Sequence, residues 1–168
     1  MPNHFLYFAY GSNMSSARLI ARTPSAKAIT TACLPEYTMG YTKLGVDASG
    51  KCGINPSNNS QDRVYGVLFK IHRAEKDELD AFEGLGLVYT DLEVTVYDQN
   101  NEPKQAITYV PLSEDKGLLP WDWYKHHVVS GAYEFDLPQD YIKQLEAVEA
   151  MPDSNQARKD RELEIYDF

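Results

Sequence analysis

The chain is poor in cysteine, lacks long apolar runs and has no excess of basic residues. Cys33 and Cys52 are its only cysteines. Two cysteines are too few for a disulfide framework and do not form a metal-binding spacing, so we expect two reduced packing residues. No apolar run is long enough to span a membrane, so no membrane partner is expected. No N-terminal segment combines a basic start, an apolar stretch and a cleavage site, so the cytoplasm is the expected compartment.

The charge balance is acidic. The chain has 16 Lys and Arg residues against 25 Asp and Glu residues, which gives a formal net charge of −9 at pH 7. Because nucleic-acid binding needs a basic surface, no nucleic-acid partner is expected. A small anionic ligand remains compatible with this charge, since backbone N–H groups can hold an anion locally.

The apolar patterning predicts strands and helices in an irregular order. Strands are predicted at 4–10, 34–41, 64–71, 88–97 and 105–110, and helices at 15–22, 74–83, 121–130 and about 138–150. Because strands outnumber helices and the two do not alternate, the order favours an α+β fold with a curved, barrel-like mixed β-sheet and a few surrounding helices.

Two polar segments complete the predicted organisation. Residues 47–62 are rich in Gly, Asn and Ser, which predicts a loop with at most a short strand inside it. Residues 152–168 are charged and predict a C-terminal tail or helix with a solvated face. We expect residues 1–168 to form a single domain, since this length suits one core.

An apolar, aromatic run that begins at Phe5 ends abruptly in Tyr10-Gly11-Ser12-Asn13. The run predicts a buried strand. Gly11 lets the backbone turn sharply and approach a ligand, and Ser12 or Asn13 can cap the helix that follows. The segment is either a site for a small carboxylate or phosphate at the helix N-terminus or an ordinary strand-to-helix turn.

A second notable stretch runs from Asp80 to Gly86. The predicted helix ends at Gly84 in the left-handed conformation, and Leu79 and Phe82 mark its inward face. Glu83 lies near the negative end of the helix dipole, which raises the pKa of its carboxyl group, and desolvation raises this pKa further. Such a group can transfer protons near neutral pH, whereas the alternative is a solvated surface glutamate.

In their order along the chain, these segments resemble the γ-glutamylcyclotransferases, an AIG2-like family, in the branch with a Tyr-Gly-Ser-Asn loop. Tyr7–Met14 is similar to the family's opening strand and signature loop, and Val64–Phe69 to its central strand. Leu79–Gly84 resembles the segment that carries the catalytic glutamate. The resemblance spans roughly residues 5–150 and is weakest at 30–62.

The resemblance implies conversion of a γ-glutamyl amino acid or amine to 5-oxoproline and the free amine, without metal or cofactor. It implies that Glu83 is the general acid and base. The implied substrate-binding residues are Tyr10, Gly11, Ser12, Asn13, Tyr89 and Tyr124. The resemblance does not specify the identity of the leaving amine. It also leaves open whether the loop amides bind the α-carboxylate or the oxyanion, and whether the protein is a monomer or a homodimer.

Three alternatives fit the sequence less well. A non-catalytic protein of the same fold that binds a γ-glutamyl-like molecule would have no need of Glu83 as a base. A hydrolase with Ser12 as nucleophile lacks the Gly-x-Ser-x-Gly elbow, since position 14 is Met. A metal site at His126 and His127 is disfavoured because adjacent helical residues point about 100° apart. One packed and one exposed histidine is expected instead.

Overall fold

A computed structural model describes residues 2–167. The strands are β1 (His4–Ala9), β2 (Lys27–Pro35), β3 (Tyr37–Leu44), β4 (Gly50–Pro56), β5 (Arg63–His72), β6 (Tyr89–Asp98) and β7 (Pro103–Pro111). The α-helices are α1 (Ser16–Arg22), α2 (Lys76–Glu83), α3 (Asp122–Glu134), α4 (Gln139–Ala147) and α5 (Gln156–Leu163). Short 3₁₀ turns cover Ser12–Met14, Arg73–Glu75 and Glu164–Tyr166. Within these residues no helix is both long and apolar enough to cross a membrane.

Five strands close into a barrel in the order β1-β5-β2-β6-β7. The neighbours pair antiparallel except for β7 and β1, which close the barrel in parallel through Tyr7 and Ile107. Strands β3 and β4 form a separate two-stranded sheet. The predicted α+β class with a barrel-like mixed sheet is therefore confirmed.

The core lies where β1 and β5 face the helices. Phe8, Leu68 and Phe69 are almost fully buried, and the Phe69 ring packs edge-on against Phe135 at 5.8 Å. Each such side chain contributes about 1.5–3 kcal/mol through removal of its apolar surface from water. These strands were predictable because their apolar residues run almost without interruption.

The predicted strand at 34–41 is wrong, because the chain reverses within it. Glu36 has a φ of 62° and separates the end of β2 from the start of β3, so the segment divides between two sheets. Few non-glycine residues adopt this left-handed conformation, and hydrophobic periodicity carries no sign of it. Most of β2 was missed because Lys27, Ala28 and Ile29 are exposed. The predicted loop at 47–62 does contain a strand, β4.

Helix α3 does not stop at Gly131, contrary to the prediction, but continues to Glu134. A Cβ at position 131 would lie 2.6 Å from the Met14 carbonyl carbon and from the Ser15 amide nitrogen. Glycine is therefore required here by the close crossing of α3 over the Ser12–Met14 turn. Helix α4 ends at Ala147, a few residues before the predicted end near 150.

The charged C-terminal segment is anchored to α3 by Asp153. Its carboxylate accepts hydrogen bonds from Arg158 Nε at 2.6 Å, Arg158 Nη2 at 2.8 Å and Trp123 Nε1 at 2.8 Å. The Asn155 side chain caps α5 by accepting from the Arg158 amide at 3.0 Å. Hydrogen bonds from Arg158 hold the pKa of Asp153 well below its ordinary value.

Candidate active site

A cavity of about 270 Å³ opens at one end of the barrel. The end of β1, the C-terminus of α2 and the first residues of β6 and α3 converge there. All seven residues that the sequence predicted for the site line this cavity: Tyr10, Gly11, Ser12, Asn13, Glu83, Tyr89 and Tyr124. The fold therefore brings together side chains that are as far as 114 positions apart (124 minus 10).

The polar loop after β1 has a different role from the predicted helix cap. Ser15 is the N-cap residue of α1, while Ser12 and Asn13 form part of the preceding 3₁₀ turn. The side chains of these two residues turn towards the cavity instead. Asn13 Nδ2 donates to Glu83 Oε1 at 2.9 Å, and Ser12 Oγ accepts from Arg18 Nε at 3.1 Å. The loop thus connects the candidate base to a cationic side chain.

Gly11 is needed for packing between the loop and β4. A Cβ at this position would lie 2.9 Å from the Cβ of Cys52. The close approach of Gly11 to a ligand stays a prediction, and the close contact in this structure is with β4, which forms a wall of the cavity. A larger residue would require the loop and β4 to move apart.

Glu83 is the last residue of α2, and Gly84 follows it with φ 66° and ψ 48°, the predicted left-handed conformation. Phe82, predicted to face inwards, is instead 55% exposed at the rim of the cavity. The helix turns Glu83 towards the cavity and Phe82 towards its mouth. Burial raises the pKa of the Glu83 carboxyl, and the charges of Arg22 and Arg18 and the Asn13 hydrogen bond offset this shift only in part.

Sequence reasoning missed the cationic lining of the cavity. Arg18 and Arg22 lie four residues apart on α1 and both face the site. Arg22 Nη1 donates to Asn13 Oδ1 at 3.3 Å, and its guanidinium lies 5.0 Å from the centre of the Phe82 ring. The spacing of two arginines directly after the Tyr-Gly-Ser-Asn loop was the signal that could have revealed them.

Lys51 of β4 adds a third cation to the lining of the cavity. Its Nζ lies 2.8 Å from Asp47 Oδ2, 4.4 Å from the centre of the Tyr124 ring and 4.6 Å from that of Trp123. Burial lowers the pKa of Lys51, and the hydrogen bond to Asp47 opposes that shift. Although the whole chain carries a charge of −9, this cavity is lined by three cations and is suited to an anionic ligand.

The three tyrosines of the site form its wall. Tyr124 Oη accepts from the Cys52 amide at 3.1 Å, and Tyr89 Oη donates to the Cys52 carbonyl at 2.8 Å. Tyr10 Oη donates to the carbonyl of Tyr109 at 2.6 Å. Burial raises the pKa values of all three phenols far above their ordinary value. All three remain protonated at neutral pH. Tyr89 and Tyr124 hold β4 beside the loop, whereas Tyr10 is bonded to β7.

The arrangement around the histidines matches the prediction of one packed and one exposed ring. His127 is fully buried and its Nδ1 lies 2.7 Å from Tyr166 Oη, while His126 is exposed. Burial lowers the pKa of His127 to about 4, so its ring is neutral at pH 7. Among the described cavity-lining residues there is no histidine to activate Ser12. In residues 2–167, no group of three or more His, Cys, Asp or Glu side chains is arranged to hold a metal ion.

Comparisons with known proteins agree with this geometry. The AIG2-like family model matches residues 63–145. The γ-glutamylcyclotransferase of Bos taurus is 31% identical over 164 residues, which covers 95% of this chain and 86% of that protein. The γ-glutamylcyclotransferase of Homo sapiens is 32% identical over 149 residues, which covers 86% of this chain and 79% of that protein.

Solved structures extend the similarity to three dimensions. A γ-glutamyl cyclotransferase structure aligns with a TM-score of 0.84 at 28% identity, covering 90% of this chain and 92% of its own. YkqA from Bacillus subtilis shares the fold with a TM-score of 0.75 at 20% identity, covering 89% of this chain and 57% of its own.

The closed barrel with a carboxyl group facing its end cavity is thus the AIG2-like type of enzyme fold. More narrowly, the chain belongs to the γ-glutamylcyclotransferase family, as its similarity to the mammalian enzymes over most of its length shows. The resemblance drawn from the ordered sequence motifs is confirmed.

Proposed function

We propose that the protein converts γ-glutamyl amino acids or γ-glutamyl amines to 5-oxoproline and releases the free amine, with Glu83 as general acid and base. One observation carries the proposal. The Glu83 carboxyl, whose pKa is raised by burial, faces a cavity lined by Arg18, Arg22 and Lys51. A base and a set of cations together suit a substrate that carries both an amine and a carboxylate. The names of the mammalian relatives support the same reaction.

The reaction is an exchange of one amide bond for another. The substrate's α-amine attacks its own γ-carbonyl carbon, a C–N bond closes the five-membered lactam, and the original γ-amide C–N bond breaks. Two protons leave the α-ammonium nitrogen and two reach the departing nitrogen, which leaves as an ammonium group, and Glu83 carries them in turn. No water is consumed, because the nucleophile is the substrate's own amine. Because the nucleophile and the electrophile share one molecule, the enzyme gains most by holding the chain folded back.

The surroundings of Glu83 suit a group that both accepts and donates a proton. General acid–base catalysis is most effective when the pKa of the group lies near the working pH, and burial moves the Glu83 pKa in that direction. The bond from Asn13 Nδ2 orients one carboxylate oxygen. The other oxygen is then directed to the substrate's nitrogens, which both bond to the same carbon.

The remaining site residues have binding roles in this proposal. Arg18 and Arg22 pair with the substrate's carboxylate, and Tyr10, Tyr89 and Tyr124 form the wall beside it. The amides of Gly11, Ser12 and Asn13 hold either the α-carboxylate or the developing oxyanion. The substrate is a small molecule, no metal or organic cofactor takes part, and the protein acts as a monomer or homodimer without a nucleic-acid or membrane partner.

The test is a substrate panel with a matched pair of variants. Purified protein is incubated with γ-glutamyl dipeptides and γ-glutamyl amines, and 5-oxoproline is followed by mass spectrometry. Glu83→Gln keeps the shape of the side chain but cannot accept the proton, whereas Glu78→Gln alters an exposed carboxylate on the same helix. We expect 5-oxoproline from wild type and Glu78→Gln only. Near-wild-type turnover by folded Glu83→Gln would overturn the role of Glu83, and no product from any substrate would overturn the reaction.

A further inference from the structure

We infer that Glu162 of α5 is a positioning residue for the substrate-binding loop and acts through Arg18. The inference rests on the proposed function. It gives a role at the site to the charged C-terminal segment, which the sequence predicted only as a solvated face. The supporting observation is a continuous chain of polar contacts from α5 to the cavity.

The contact chain has two links. Glu162 Oε2 lies 2.8 Å from Arg18 Nη1, and Arg18 Nε donates to Ser12 Oγ at 3.1 Å. One planar guanidinium thus joins α5 to the 3₁₀ turn that follows β1. The fixed angle between Nε and Nη1 sets the orientation of both partners, which a lysine ammonium would not do.

Charge makes this link necessary. The Arg18 side chain is only 12% exposed, so its charge needs a partner that is ionised at working pH. Glu162 meets that requirement, since His127 and Arg18 hold its pKa at about 2. His127 Nε2 lies 3.6 Å from Glu162 Oε2, whereas Arg18 is in direct contact. Arg18 is therefore the principal charged partner of Glu162.

A second contact ties the same C-terminal segment to the other end of the turn. Tyr166 Oη lies 2.9 Å from Ser15 Oγ and 2.7 Å from His127 Nδ1. Ser12 at one end of the turn and Ser15 just beyond its other end are thus both held from residues 162–166, while α3 supports the turn from below. This double attachment indicates that the segment fixes the turn rather than merely covering it.

Loss of the Glu162 charge should weaken substrate binding more than chemistry. Arg18 would lose its fixed orientation, whereas Asn13 would keep its bonds to Glu83 and Arg22. We expect Glu162→Gln to raise KM about tenfold, the size typical for a lost charge-assisted hydrogen bond, and to change kcat less than about threefold. A general loss of folded protein would instead lower kcat and leave KM unchanged.

The experiment compares Glu162→Gln with Glu164→Gln, an exposed carboxylate two residues further on. Steady-state formation of 5-oxoproline gives kcat and KM, and hydrogen exchange of residues 11–15 followed by mass spectrometry reports the turn itself. Raised KM and faster exchange in Glu162→Gln alone are the expected results. Unchanged exchange in Glu162→Gln would overturn the inference whatever the activity. Failure of the wild type to form product would overturn only the proposed reaction.

A double variant separates action through Arg18 from an independent effect. Arg18→Lys keeps the charge but loses the two-pronged contact with Ser12 and Glu162. If Glu162 acts through Arg18, the KM of the double variant Arg18→Lys/Glu162→Gln should lie within about twofold of the KM of Arg18→Lys. KM increases that multiply in the double variant would overturn the inference.

Discussion

Glu83 and Asp153 both lie near arginines, yet the pKa values of their two carboxyl groups shift in opposite directions. Asp153 accepts two hydrogen bonds from one guanidinium, at 2.6 and 2.8 Å, and its pKa is lowered. Glu83 accepts its bond from the neutral Asn13 amide, and within residues 2–167 no Arg, Lys or His nitrogen lies within 4.0 Å of its carboxylate. Its pKa is raised by burial.

The difference shows that a direct hydrogen bond from a guanidinium, rather than a positive charge nearby, decides the direction in which the carboxyl pKa shifts. A direct, bidentate pair stabilises the carboxylate enough to overcome its desolvation. Arg18 and Arg22 favour the ionised form of Glu83 only through a field across the cavity, and desolvation outweighs that field. One carboxyl therefore serves to anchor the fold, and the other is left able to exchange a proton.

The two groups also make opposite contributions to the pH dependence of stability. The lowered pKa of Asp153 gives stability that is present above its ordinary value of 3.8 and is lost as pH falls through the folded pKa. Because the pKa of Glu83 is raised in the folded state, ionisation of its carboxyl lowers the stability of the protein. This loss is absent below the ordinary pKa of 4.5 and is complete once the pH has risen through the folded-state pKa.

The largest expected effect comes from Glu83→Gln. Turnover should fall by about 10²–10⁴, the usual contribution of a general acid–base group. The melting temperature at pH 8 should rise relative to wild type, since the desolvation cost of the half-buried carboxylate is removed. Melting curves at pH 4 and pH 8 check the sign. A drop in melting temperature at pH 8 would contradict the conclusion that the ionised Glu83 carboxylate destabilises the folded state.

Asp153→Ala should have the reverse profile. Its loss leaves Trp123 and Arg158 without their acceptor, so the melting temperature should fall by about 5–10 °C at pH 7. The turnover per folded molecule should stay within about twofold of wild type, because the carboxylate lies outside the cavity. Asp160→Ala, an exposed position on α5, serves as the control and should melt like wild type. Equal destabilisation of both variants would contradict the conclusion that Asp153 anchors the C-terminal segment.

A smaller effect is expected from Asn13→Ala, measured in the pH profile of kcat. The Asn13 amide stabilises the ionised form of Glu83, so its removal should move the acid limb to higher pH. Ser15→Ala alters the residue next to the same turn, where the hydroxyl contacts Tyr166 and not Glu83 or its arginines, and should leave the acid limb in place. An acid limb that shifts equally in both variants would mean that the turn, and not the hydrogen bond, sets this pKa.

The elements and site residues that could be predicted from sequence share local, uninterrupted signals. β1 and β5 are long apolar runs, and β6 and β7 pair across a short polar turn, as expected. The Tyr-Gly-Ser-Asn loop was found because it directly follows a strand, and Glu83 because it ends a helix just before a glycine. Their assignment to one cavity depended on the ordered resemblance, since neither segment alone specifies the other.

The missed features depend on contacts that are distant in sequence or on single backbone angles. Arg18 and Glu162 lie 144 positions apart, and no local pattern links them. Glu36 adopts a left-handed conformation that composition does not signal. Phe82 has the helical spacing of a core residue, but its side chain is exposed and borders the cavity.

The close packing at Gly131 limits which substitutions the site can accept during evolution. The crossing of α3 over the Met14 and Ser15 backbone leaves no room for a side chain, so the turn and the helix vary only together. Val46 and Phe82 are exposed where they border the cavity mouth, and neither position is constrained in this way. If the proposed reaction is correct, preference for a new leaving amine can therefore evolve at the cavity mouth while the geometry around Glu83 is inherited unchanged.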